Sequence, residues 1–253
     1  KAGINSAPSA FHLGYVLGPR INACGRVGEA HMGHKLLCTK DSYQAELMAD
    51  KLNEFNIQRK DIEAYVMLSA IETLEGTPQT YPIAFVYGRD WHQGVIGIVA
   101  GKLKERYNVP SFVMSIESDE VKGSARSIPQ VDLGALIIAA KEKGILTKGG
   151  GHTMAAGFSL NEDKIEEFRD FVGKYVVDKI GGEAITPVID IDATLDAAGA
   201  SIELADCLEK LEPFGAGNSE PKLMLKNVKV VKPGLVGVGH VRCVLTSDNG
   251  GNL

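Results

Sequence analysis

Between Asp41 and Glu75 the chain contains neither Gly nor Pro, and no other stretch constrains its fold as tightly. Tyr43, Leu47, Leu52, Phe55, Ile62, Val66 and Leu74 recur at spacings built from threes and fours, the period of an apolar face on an α-helix. Asp41 with Gln44 three residues on has the form of a capping box, and Gly76 followed by Thr77-Pro78 supplies the stop. At the rise of an α-helix this element would run about 50 Å, longer than a compact domain requires, so it is expected to connect two bodies.

Charge changes sign at the start of this helix. The helix carries eight acids against three bases, whereas residues 1–40, Gly-rich and expected to be irregular, carry five bases against one acid. The chain's net charge of -5 averages the two, so the acidic total gives no global sign of a nucleic-acid partner and excludes none. With 44% hydrophobic residues in 253 the chain is composed like a folded soluble protein, which excludes disorder. No apolar run approaches the length of a membrane helix and no leader pattern opens the chain, so no membrane association is expected. Cys24, Cys38, Cys207 and Cys243 form no CxxC pair, which favours a reducing, cytoplasmic setting. A start at Lys1-Ala-Gly without Met and a stop just after a strand-like run fit a piece of a longer chain.

Beyond Pro82, short β-rich runs alternate with helical periods. Strands are expected at 83–87, 111–116 and 121–127, with helices at 95–107, 131–143 and 161–179, which together imply an α/β fold around a mixed sheet. Gly181-Gly182 and Pro187 mark a boundary. A second, β-rich module follows, with strands at 188–192, 222–231 and 240–246 and a helix near 201–211.

Four segments could carry chemistry. Arg20 and Arg26 lie in a stretch punctuated by Gly18, Pro19, Gly25 and Gly28; guanidinium forks suit phosphate, although such arginines also stabilise ordinary turns. In Lys122-Gly-Ser-Ala-Arg-Ser127, alternation puts Lys122, Ser124 and Arg126 on one strand face, either an oxyanion cradle or a solvated surface. Lys148-Gly-Gly-Gly-His-Thr-Met-Ala-Ala-Gly157 reads as a loop whose N–H groups can form an anion-binding nest beside His152, with Ala155, Ala156 and Gly157 keeping side chains out of the way, although a lone His is usually structural. Trp91, the single tryptophan, either stacks on a base or covers a helix end beside His92, and chemistry alone favours the second. The Cys24, His31, His34, Cys38 array fits no common zinc spacing, and Asp190 and Asp192 look like a solvated strand face, so no metal site is expected.

In chain order, GPRINACGR (18–26), DWHQGVIGIVA (90–100), KGSARS (122–127), GGHTMAAGFSL (150–160) and LEPFGAGNSEP (211–221) resemble the RecJ exonucleases of the DHH phosphoesterase family. The resemblance implies a tail of the DHH catalytic domain at 1–40, a long connecting helix at 41–76, a DHH-associated substrate-binding domain at 80–180 and an incomplete OB-fold-like module at 186–253. It further implies 5'-3' hydrolysis of single-stranded DNA by manganese or magnesium held on motifs absent from this sequence, so that the piece alone is inactive. Ser124 and Arg126 would bind the 5' phosphate, with Lys122 beside them. Arg20, Asn22 and Arg26 would reach phosphate from the catalytic side, and His152 with the Gly149, Gly150 and Gly151 backbone would contact the scissile phosphate. Trp91 and His92 would border the groove. Single-strand-binding protein and a helicase are the implied partners in repair and recombination. A related DHH phosphodiesterase acting on short oligoribonucleotides or cyclic dinucleotides is the alternative.

Overall fold

A computed structural model of the protein describes residues 2–5, 7–181, 186–237 and 239–247; Lys1, Gly182 and Asp248–Leu253 lie outside them. The chain divides into two compact units, one chiefly Gly14–Pro187 and the other Val188–Leu253 with Ser6–Leu13.

The N-terminal stretch is helical rather than irregular. A π-helical turn, His12–Leu17, leads into α1 (Gly18–Val27), and α2 (His31–Cys38) follows. Pro19 falls in the first turn of α1, where no backbone N–H is needed, so it starts the helix instead of breaking it. α3 (Ser42–Gly76) is the long helix, capped by Asp41, whose side chain accepts from Tyr43 N at 2.9 Å and Gln44 N at 3.1 Å. The Asp41 N–H is satisfied by Thr39 Oγ1 at 3.2 Å. α3 packs on α1 and α2 in its first half and on α4 (Gln93–Tyr107) and β1 (Ala84–Arg89) in its second. The helix expected to connect two bodies thus lies wholly inside one unit, where it bridges α1 and α2 to α4 and the sheet. Midway, the buried Arg59 and Glu63 pair with one another, Arg59 Nη2 donates to Asn56 Oδ1 at 3.0 Å, and Lys102 of α4 also reaches Glu63.

The sheet adds β2 (Ser111–Glu117), β3 (Glu120–Arg126), β4 (Lys148–His152) and β5 (Ala155–Asn161), in the order β1-β2-β3-β5-β4. β1 and β2 are parallel and the other pairs antiparallel, so the sheet is mixed. Alternation along the strands feeds two cores. Phe85, Phe112, Phe158 and Phe168 meet on the face covered by α5 (Leu133–Glu142) and α6 (Ile165–Ile180). On the opposite face, Val86 and Val113 lie under Val95, Val99 and Leu103 of α4 and Val66 and Ala70 of α3. That second face is covered over β1 and β2, and its continuation carries the site.

Two strands were unforeseen. The Gly-rich segment expected to be a loop forms β4, joined to β5 by the two-residue turn Thr153-Met154. Its backbone is extended and paired with β5 along one edge, so its N–H groups do not curl together into the expected nest. In the second unit the strand expected at 188–192 is displaced to β6 (Ala193–Leu195), which runs parallel to β7 (Leu223–Leu225); Val188 is 82% exposed and does not build a core. α7 (Ile202–Glu209) is capped by Ser201, and β8 (Lys229–Val236) pairs with β9 (His240–Thr246) around a register shift between Val231 and Gly234. This unit is β-rich, as expected.

Candidate nucleic-acid interface

β3 divides its side chains between two environments. Val121 and Ala125 enter the aromatic core, and Lys122, Ser124 and Arg126 face the other way, partly exposed. Strand register carries that face across the sheet. Lys122 neighbours Ser159 and then Lys148, Ser124 neighbours Gly157 and then Gly150, and Arg126 neighbours Ala155 and then His152. The middle row loses its side chains after Ser124. A Cβ on Gly150 would meet nothing within 4 Å, and one on Gly157 only the Gly123 carbonyl oxygen at 3.9 Å. At ordinary strand spacing this bare strip extends about 10 Å from Ser124 to the sheet edge.

α4 and the last turn of α1 wall the strip at its Ser124 end. Together they enclose a cleft of about 630 Å³ lined by Arg26, Lys122, Arg126 and Lys148, with Ser124, Gly97, Gly149 and Gly157 among them and no carboxylate in the lining. Arg26 Nη1 donates to the Gly94 carbonyl at 3.0 Å. Arg126 Nη1 donates to the Ala125 carbonyl at 2.8 Å and to Ser124 Oγ at 3.2 Å. Burial, and secondarily the positive Arg26, hold the Arg126 pKa below its ordinary value. Two like charges share a partly dry cleft, so a ligand with negative oxygens between them would relieve both desolvation and repulsion.

The other expected site residues separate. Arg20 donates from Nε to Asn53 Oδ1 at 3.1 Å and from Nη1 to the Val16 carbonyl at 2.7 Å, tying α1 to α3 outside this cleft. Asn22 lines a second cavity of about 930 Å³, between α1, α3 and α4, which shares Arg26 with the first. Trp91 is corrected from groove wall to core: it is 3% exposed, packed among α4 and sheet residues, with its ring over Gly88. A buried indole offers no face to a base. His92 is exposed but caps α4, its Nδ1 accepting from Gly94 N at 3.0 Å. Gly149 reaches the cleft, Gly150 floors the strip, Gly151 packs against Ala155 and Ala156, and His152 is exposed at the end of β4. Lys148, Ser159, Gly157, Gly94 and Gly97 went unchosen. Reading 148–152 as a strand would have put Lys148, Gly150 and His152 on one face with the β3 cations.

Among the described residues no three His, Cys, Asp or Glu side chains converge as metal ligands, and no helix is long and apolar enough to cross a membrane.

The DHHA1 domain family matches residues 79–178 and the RecJ OB domain family residues 191–253. The chain is 34% identical over 251 residues to the single-stranded-DNA-specific exonuclease RecJ of Dickeya dadantii, which covers 96% of this chain and 43% of that protein. Against the RecJ exonuclease of Escherichia coli it is 33% identical over 252 residues, 97% of this chain and 44% of the relative. A crystal structure of Thermus thermophilus RecJ with Mn2+ superposes with a TM-score of 0.80 at 26% identity, covering 96% of this chain and 35% of that one. The chain thus spans less than half the length of the curated relatives it matches.

Proposed function

Proceeding from homology to the RecJ family along 96% of the chain, we propose that it is the strand-holding part of a metal-dependent, single-stranded-DNA-specific 5'-3' exonuclease. The observation that carries this reading is the convergence of four cations and no carboxylate in one cleft between the sheet, α4 and the end of α1. Ser124 and Arg126 grip the 5'-terminal phosphate, with Lys122, and Arg26 closes on it from α1. The following sugar lies along the Gly157–Gly150 strip, where the sheet presents no side chain to exclude it, and Lys148 offsets the backbone charge. His152, at the far end of the Arg126 row, and the β4 backbone approach the scissile phosphodiester. Asn22 and Arg20 serve the strand from the α1 side.

Manganese or magnesium, held in Thermus thermophilus RecJ structures, finds no donor set in this cleft. Its polar lining side chains are four cations, two hydroxyls and the Gln93 amide, with no carboxylate, imidazole or thiolate, a set that repels or binds such an ion weakly. In this reading the cleft holds substrate rather than metal, and the chain alone is expected to lack nuclease activity. In this reading residues 1–40 are the tail of the catalytic domain, 41–76 a connecting helix, 80–180 the substrate-binding domain and 186–253 a single-strand-binding OB module. The parent enzyme would act in the cytoplasm in repair and recombination, beside single-strand-binding protein and a helicase.

Binding of a fluorescent single-stranded oligonucleotide, with and without a 5' phosphate, tests the cleft. Arg126→Ala should weaken binding of the phosphorylated strand by about 1.5 to 3 kcal/mol, the scale of a charge-assisted hydrogen bond, and leave the unphosphorylated strand nearly unaffected. Equal loss on both strands, or none, would remove the phosphate from this site.

A further inference from the structure

Two arginines of like charge enter one cleft from different elements, and α4 stands against both. Gly94 and Gly97 lie three residues apart in its first two turns, hence on the same helical face. Glycine is a poor helix former, so neither is there for the stability of α4 itself. At Gly94 a Cβ would stand 2.2 Å from the Arg26 carbonyl oxygen, 2.9 Å from its carbonyl carbon and 3.1 Å from its Cα. These are backbone atoms, which cannot rotate aside. The Gly94 carbonyl also accepts from Arg26 Nη1 at 3.0 Å, and the Gly94 N–H is held by His92 Nδ1 at 3.0 Å. Arg26 is therefore fixed to one residue through its main chain and its guanidinium, and that residue is itself pinned by the helix cap. At Gly97 a Cβ would stand 3.1 Å from Ser124 Oγ and 3.2 Å from Arg126 Nη2, the ends of side chains that can yield.

We infer that Gly94 and Gly97 are positioning residues, Gly94 seating Arg26 and Gly97 seating Ser124 and Arg126, so that the two guanidinium groups are held ready for one phosphate. The inference rests on the cleft being the 5'-phosphate site. It gives His92 a task as well: by capping α4 it orients Gly94 without touching the ligand.

The readout is the ratio of affinities of this chain for phosphorylated and unphosphorylated oligonucleotide, measured for single and double variants. Gly94→Ala should lower that ratio about tenfold, as much as Arg26→Ala, on the scale of one charge-assisted contact. The Gly94→Ala/Arg26→Ala double variant should be no worse than Arg26→Ala, whereas Gly94→Ala combined with Arg126→Ala should compound. Gly97→Ala should lower the ratio by roughly threefold, a smaller effect because its neighbours are flexible, and should do nothing in an Arg126→Ala/Ser124→Ala background, where both of the side chains it seats are gone. The inference is overturned if Gly94→Ala, folded by its melting curve, keeps the ratio while Arg26→Ala loses it, or if its effect adds to that of Arg26→Ala. Should Gly94→Ala not fold, Gly97→Ala decides, and an unchanged ratio there overturns the inference. Loss of the ratio in neither Arg26→Ala nor Arg126→Ala would instead refute the cleft itself.

Discussion

Arg126, proposed to hold the 5' phosphate, carries a cost for the fold. Its pKa is lower folded than unfolded, through burial first and Arg26 second. The unfolded chain therefore holds that proton more tightly, so the charge weakens the fold at every pH below the lowered value. The penalty fades only as pH rises through that value toward the ordinary arginine range, so at neutral pH it is fully present. Arg126→Gln should accordingly raise the melting temperature at pH 7 while the preference for a 5' phosphate disappears. A melting temperature that falls instead would mean that the bonds to Ala125 and Ser124 outweigh the desolvation. That Lys122, Ser124 and Arg126 share one face was legible from their alternation. For Trp91 the residue chemistry, which favoured a tryptophan covering the helix end, was a better guide than the resemblance that set it at the groove, and the space beside Gly88 that admits its ring exists only once β1 has turned into α4.

Among the elements, α3 was the most legible, since 35 residues of helical period leave no competing structure. β4 and β5 were the least. Three consecutive glycines look like a loop because glycine pairs weakly in strands, and what makes Lys148–His152 a strand is its register with β5, a contact that local sequence does not encode. The long helix also hides something its apolar period does not show, a buried charge cluster. Glu63, 5% exposed, receives both Arg59 and Lys102, which locks α3 to α4. Glu63→Ala leaves the buried Arg59 without its counter-charge and should cost about 3 to 5 kcal/mol in urea unfolding. Adding Arg59→Met should recover most of that loss, and a double variant as unstable as the single one would show that the cost lies in packing rather than charge.

On the scale of the whole molecule, a net charge of -5 coexists with a cleft lined by four cations. If all four neutralise strand phosphates, the logarithm of affinity should fall against the logarithm of salt with a slope between about -2 and -3, at about -0.7 per phosphate. Lys148→Ala should flatten that slope by about one such step, and a salt-independent affinity would argue for a different ligand. β4 is also the outermost strand of its sheet, and an outer strand offers unpaired backbone groups to any extended chain that drifts alongside. Its five residues, three of them glycine behind a lysine, make it a poor template for such growth. Substitutions that gave this margin bulk and β-propensity would fill the strip proposed for DNA and also invite copies of the protein to polymerise edge to edge.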